Sequence, residues 1–154
     1  MGTFDEMLAS LHQGKGASLQ DTDNKVISID EKRRFVVPEG YNLELAYEGD
    51  VNSQIVTFCL PKVYEGHDLV SCDIKGIKWK NKSSGNEDWS ELIPFIPSWI
   101  DKKTAADFQF FQWIVPPTAF TKAGILEISI SLYDFQDNKL AFSWNTASFS
   151  GFTV

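Results

Sequence analysis

From residue 25 onward the apolar and polar residues mostly take turns, with a period of two. Leu126, Ile128, Ile130 and Leu132 alternate with Glu127, Ser129 and Ser131, which predicts a strand with one buried and one wet face. Leu140, Phe142 and Trp144 alternate in the same way with Ala141, Ser143 and Asn145, and the short polar stretch 134–138 between the two runs predicts a hairpin. Val56, Phe58 and Leu60 oppose Ile55, Thr57 and Cys59, and Pro61 closes that run. Residues 108–115, Phe-Gln-Phe-Phe-Gln-Trp-Ile-Val, are apolar on both faces, as a central strand requires, and Pro116 and Pro117 stop them. Residues 26–29 and 35–37 read as a hairpin around the polar turn 30–33, and residues 43–47 as a weaker strand. Tyr64, Glu65 and Gly66 mark a loop. In residues 71–80, Cys72 and Ile74 share one parity and Ile77 and Trp79 the other, which predicts a β-bulge at Gly76. Residues 81–87 read as a hairpin loop, and residues 89–96, interrupted by Pro94, as an edge strand or irregular crossing. About eight or nine such strands, spaced about ten residues apart, predict an all-β protein, an antiparallel β-sandwich. A closed barrel satisfies the same pattern.

The first 24 residues follow a different rule. Thr3 and Glu6 have capping-box spacing, and Phe4, Met7, Leu8 and Leu11 fall at i, i+3, i+4 and i+7, one face of a helix. Gly14 is a stop signal, and residues 14–24 combine Gly with small polar residues, as linkers do. The chain therefore divides into an N-terminal helical arm with linker, residues 1–24, and a β-sandwich domain, residues 25–154. A three-turn helix is marginal alone in water. Its apolar stripe either docks on its own domain, a symmetry mate or another protein, or the arm frays. Docking on a partner chain, with oligomerisation, is the reading that gives Phe4, Met7, Leu8 and Leu11 a role.

Composition removes several function classes. The 154 residues carry 14 basic and 21 acidic side chains, a net charge of -7 that no local basic cluster offsets, so nucleic acid is not an expected partner. No apolar run reaches the ~20 residues of a membrane span, and the N-terminus lacks the basic start of a secretory signal. The two cysteines, Cys59 and Cys72, are too few for a disulfide framework and read as buried thiols, although sequence spacing leaves one bridge open.

Catalytic chemistry is thinly represented. His12 and His67 have no ligand spacing to another His or Cys, so neither a metal nor any other cofactor is expected. His67-Asp68 would need a distant serine to make a triad, and triads are defined by geometry. Asp30, Glu31, Glu44, Glu48, Asp50, Glu87 and Asp88 all fall at turns or wet strand positions, where solvated acids are ordinary. The glycines are scattered singly and form no phosphate cradle. The sequence is thus expected to belong to no enzyme class. Of its five tryptophans, Trp113 and Trp144 sit at core positions, whereas Trp89 and Trp99 lie in proline-broken segments and are the candidates for exposure. Exposed indoles on a sandwich would suit a sugar or a protein partner. A carbohydrate-binding module is therefore the alternative to an assembly role.

The ordered series Lys25-Val-Ile-Ser-Ile29, Gly49-Asp-Val-Asn52, Phe58-Cys-Leu-Pro61, Tyr64-Glu-Gly66 and Asp68-Leu69, followed by Gln112-Trp113-Ile114, Gly124 and Trp144-Asn145-Thr146, resembles the N-terminal domain of siphophage upper baseplate proteins. The resemblance covers about residues 25–150. It implies a β-sandwich without catalytic residues that builds a phage or prophage tail tip and connects it to host-adhesion components. Its implied partners are other tail and baseplate proteins and further copies of itself. Its implied place is the virion, assembled in the bacterial cytoplasm. Family members often carry an arginine and two aromatics after the proline, where this chain has Pro61-Lys-Val-Tyr64, and they usually continue beyond the final strand, whereas this sequence ends at Val154.

Overall fold

The computed structural model describes residues 25–51 and 54–154. The arm, with Phe4, Met7, Leu8 and Leu11, lies outside them. The described chain is an all-β sandwich of two five-stranded sheets with one small hairpin beside them.

Sheet A runs in the order β2 (Phe35–Val36), β1 (Ile27–Ile29), β3 (Gln54–Pro61), β9 (Phe108–Val115), β8 (Ile93–Pro94). The β1–β2 hairpin closes on Arg33, whose φ of 63° is the left-handed turn position, and on Asp30, which accepts the amides of Lys32 and Arg34. β3 and β9 pair over their full eight residues, from Gln54 opposite Val115 to Pro61 opposite Phe108. One pairing departs from the antiparallel expectation: β1 runs parallel to β3, with Ile27 opposite Phe58.

Sheet B is built on β10 (Ile125–Gln136), the longest strand. β6 (Ile74–Asn81) pairs along one side of it, and β7 (Glu87–Glu91) pairs beyond β6. On the other side β10 pairs first with β12 (Phe149–Thr153) and then with β11 (Lys139–Asn145). The small hairpin is β4 (Val63–Tyr64) and β5 (His67–Asp68), joined by Glu65 and Gly66, both at positive φ.

The two sheets bury one shared core. Sheet A contributes Ile27, Val56, Phe58, Leu60, Phe111, Trp113 and Val115; sheet B answers with Ile77, Trp79, Leu126, Ile128, Ile130, Leu132, Trp144 and Phe152. These are the inward members of each alternation, so the period-two pattern and the core are one observation. The indole N–H groups of Trp79, Trp113 and Trp144 find no acceptor among the described residues, so these rings are buried for their apolar bodies.

Four expectations need correction. No bulge occurs at Gly76: β6 keeps an unbroken register with β10 from Ile74 to Asn81. The apparent change of parity arises because Cys72 precedes the strand and Ile74 faces outward. The irregularity lies instead between Asp134 and Phe135 of β10, where β11 passes from Phe142 to Leu140 and carries one extra residue. That slip turns Leu140 outward, 56% exposed, although its alternation with Trp144 predicts burial. Residues 43–47 form no strand and touch a sheet at one bridge, Glu44 to Thr153. A six-residue helix, α1 (Lys102–Asp107), stands where no helical period is visible. Its start is fixed by Asp101, which accepts the Thr104 amide at 2.7 Å. Its end is fixed by Lys62, whose Nζ donates to the carbonyls of Ala105 and Ala106.

Candidate functional site

The segment from β7 to α1 decides what each sheet shows to solvent. After β7, Leu92 is buried and the chain passes from the edge of sheet B to the edge of sheet A, where Ile93 lies opposite Gln112. Pro94 ends that pairing, and Trp99 and Ile100 then pack with Phe108 on a second, smaller cluster of Val26, Cys59 and Phe110. Cys59 and Phe110 are cross-strand partners of the parity opposite to Phe58 and Phe111, so this cluster lies on the outer face of sheet A.

The cover is incomplete. Ile55 and Ile114 are opposite each other across β3 and β9, with the same outward parity, and both remain exposed. Ile93 shares their face through Gln112, and Phe95 follows two residues later, donating its amide to the Phe110 carbonyl at 2.9 Å. Ile55, Ile93, Phe95 and Ile114, each between 43 and 57% exposed, therefore share one outer face in neighbouring rows, with the half-buried Gln112 between Ile114 and Phe110 on β9. Scattered exposed hydrophobics need no explanation, but a contiguous set across a sheet marks an interaction site.

The outer face of sheet B has a different chemistry. Here Lys78 and Lys80 of β6 lie between Trp89 and Glu87 of β7 and Ser129 and Glu127 of β10. These residues line an open groove of about 490 Å³. Lys80 approaches Glu87 at 3.9 Å, and Lys82 approaches Glu127 at 3.3 Å. The Lys82 ammonium and the Ser150 hydroxyl together hold the Glu127 carboxyl below its ordinary pKa.

The two tryptophans singled out from the sequence therefore do not meet. Trp89 lies on sheet B and is 38% exposed, whereas Trp99 is half-buried in the small cluster on the far side of sheet A. A shared stacking platform of both rings is ruled out by this placement. Four of the candidate acids hold local geometry: Asp30 accepts the Lys32 and Arg34 amides, Asp50 the Tyr47 amide, Glu48 the Ala123 amide and Asp88 the Trp89 amide. His67 lies on the small hairpin with its ring stacked on Phe142 at a centroid distance of 3.6 Å. Among the described residues no three His, Cys, Asp or Glu side chains group as a metal site.

Cys59 and Cys72 are both buried, and neither is part of a disulfide. They belong to different clusters, Cys59 to the outer one and Cys72 to the main core. Burial pushes the Cys59 thiol well above its ordinary pKa and the Cys72 thiol upward too, with the Asp134 carboxylate adding to the latter. Both thiols are thereby held protonated and weakly nucleophilic.

Sequence reasoning missed the apolar surface, because Ile55, Ile93 and Ile114 look like core residues until their parity is set against that of their neighbours. It also missed the groove, although Lys78 and Lys80 alternate with Ile77 and Trp79. No known family model matches the chain, and no curated protein is similar enough to count as a relative. The molecule's class is thus set by its own architecture: a β-sandwich with two chemically distinct outer faces.

Proposed function

We propose that the chain is a non-enzymatic structural module of a phage or prophage tail or baseplate. In this reading it is assembled by protein–protein contacts and links the tail to host-adhesion parts of the virion. The observation that carries the assembly role is the uncovered apolar surface of Ile55, Ile93, Phe95 and Ile114 on sheet A. The resemblance of residues 25–150 to the upper baseplate domain supports the phage setting.

The occupant we assign to that surface is the N-terminal arm of a neighbouring copy. Val26, the second described residue, is buried on this same outer face, so the described chain begins on the side of sheet A that carries the surface. The linker of residues 14–24 reaches roughly 35 Å when extended, enough to cross to an adjoining subunit. Phe4, Met7, Leu8 and Leu11 supply an apolar stripe to match. Burying those four side chains contributes about 1.5–3 kcal/mol each before ordering costs.

Deleting residues 1–20 and measuring mass by light scattering tests this. The full chain is expected as a discrete oligomer and the deletion variant as a single chain. An unchanged oligomer, or a full chain that is itself monomeric because its arm folds back on its own sheet, would overturn the proposal.

A further inference from the structure

We propose that the outer face of sheet B is a saccharide-binding groove, with the Trp89 indole as its stacking platform. This goes beyond the assembly role and rests on separate residues.

The position of the ring is fixed by a glycine. Trp89 lies opposite Lys78 in the β6–β7 register, and Gly76, two residues before Lys78, faces the same way. A Cβ added to Gly76 would lie 2.0 Å from the indole Cζ2, 2.1 Å from Cε2 and 2.3 Å from Nε1. The ring therefore occupies the space of the missing side chain and lies down on the neighbouring strand instead of standing away from the sheet. An aromatic laid over a strand glycine shields that backbone and is itself held in place. Gly76 is buried in consequence, yet Trp89 keeps 38% of its surface in solvent. Trp79, Trp113 and Trp144 keep 3% or less, so Trp89 is the one tryptophan of sheet B with surface to offer a ligand.

The rest of the groove supplies mixed hydrogen bonding. A pyranose has a face of C–H bonds and a rim of hydroxyls that both donate and accept. An indole face suits the first. Lys78 and Lys80 as donors, Glu87 and Glu127 as acceptors and Ser129 as both suit the second. The Lys78 ammonium makes no hydrogen bond or ion pair among the described residues, and Lys78 lies opposite Trp89 in the register. Glu127 is pre-oriented by Lys82 and Ser150. The volume of about 490 Å³ falls in the ordinary range of small-ligand sites. Three carboxylates against two ammonium groups along the groove disfavour an anionic ligand, and the charged rim disfavours an apolar peptide. A neutral hexopyranose oligosaccharide fits best.

The test is a titration of the isotope-labelled full chain with neutral hexamers of β-1,4-linked glucose, α-1,4-linked glucose and β-1,4-linked N-acetylglucosamine, following the Trp89 indole N–H resonance by NMR. At least one hexamer is expected to shift that resonance in a saturable way. Trp89→Ala is expected to weaken binding by about tenfold or more, read from the shifts of neighbouring backbone amides. Gly76→Ala keeps the indole but evicts it from its seat, and is expected to weaken binding comparably. Lys78→Ala, an exposed change with no structural partner, should weaken it by a smaller factor, and Glu39→Gln, exposed in the turn after β2, should leave it unchanged. If no hexamer shifts the Trp89 resonance up to ~10 mM, a concentration that would reveal even millimolar affinity, the proposal is wrong. It is equally wrong if Gly76→Ala and Lys78→Ala both bind as the unaltered chain does.

Discussion

Asn81 shows how much one buried polar side chain can fix. It is fully buried at the end of β6, and its amide nitrogen donates to the carbonyls of Ala119 at 2.9 Å and Lys122 at 2.8 Å. Its oxygen accepts the amides of Ser83 and Ser84. One side chain thus holds the β6–β7 hairpin loop and the 3₁₀ turn Pro117–Phe120 together. Asn81→Ala strands backbone groups at both places and should cost about 2–3 kcal/mol, seen as a lower urea midpoint with an unchanged slope. A loss below about 0.5 kcal/mol would mean the loop and turn hold their places without it. Nothing in the sequence marks Asn81 for this role, since an asparagine beside Lys82 and Ser83 reads as ordinary loop polarity. The burial of Trp113 and Trp144 was legible, the first from a strand apolar on both faces and the second from its alternation with Ser143 and Asn145.

At the scale of elements, legibility followed from how completely a strand is paired. β3, β9 and β10 alternate cleanly or are apolar throughout because each is flanked on both sides in its sheet, so both faces and both edges constrain them. Residues 43–47 carry a similar pattern but meet only one bridge, and α1 is too short for its period to register against the preceding irregular segment. Gly76 misled for a physical reason: a glycine in a strand signals either a bulge or a close approach, and here it is the approach of Trp89. The turn of the β10–β11 hairpin offers a direct test of local geometry. Asp137 and Asn138 sit at φ 52° and 63°, the two left-handed positions of a type I′ turn, where glycine is favoured second. Asn138→Gly should therefore raise stability by about 0.5 kcal/mol or more, measured as a higher Tm; a lower Tm would contradict the turn assignment.

For the whole molecule, the two outer faces of the sandwich differ in chemistry because the stretch between β7 and β9 covers only part of one of them. The chain leaves β7, with Glu87, Asp88 and Glu91 along the edge of sheet B, and enters β8 at the edge of sheet A. The residues that follow then cover part of one outer face and leave Ile55, Ile93, Phe95 and Ile114 bare. The fold class was readable from alternation alone, but this asymmetry was not, since it depends on which face each loop happens to cross. Charge on the apolar face provides the most direct test. The full chain and its Ile93→Lys/Ile114→Lys variant should be compared by sedimentation velocity, with circular dichroism to verify the β fold in both. The account predicts a discrete oligomer for the full chain and a species of 17.4 kDa for the variant, with β content unchanged. A monomeric full chain, or a folded variant that keeps the same oligomer, would contradict it.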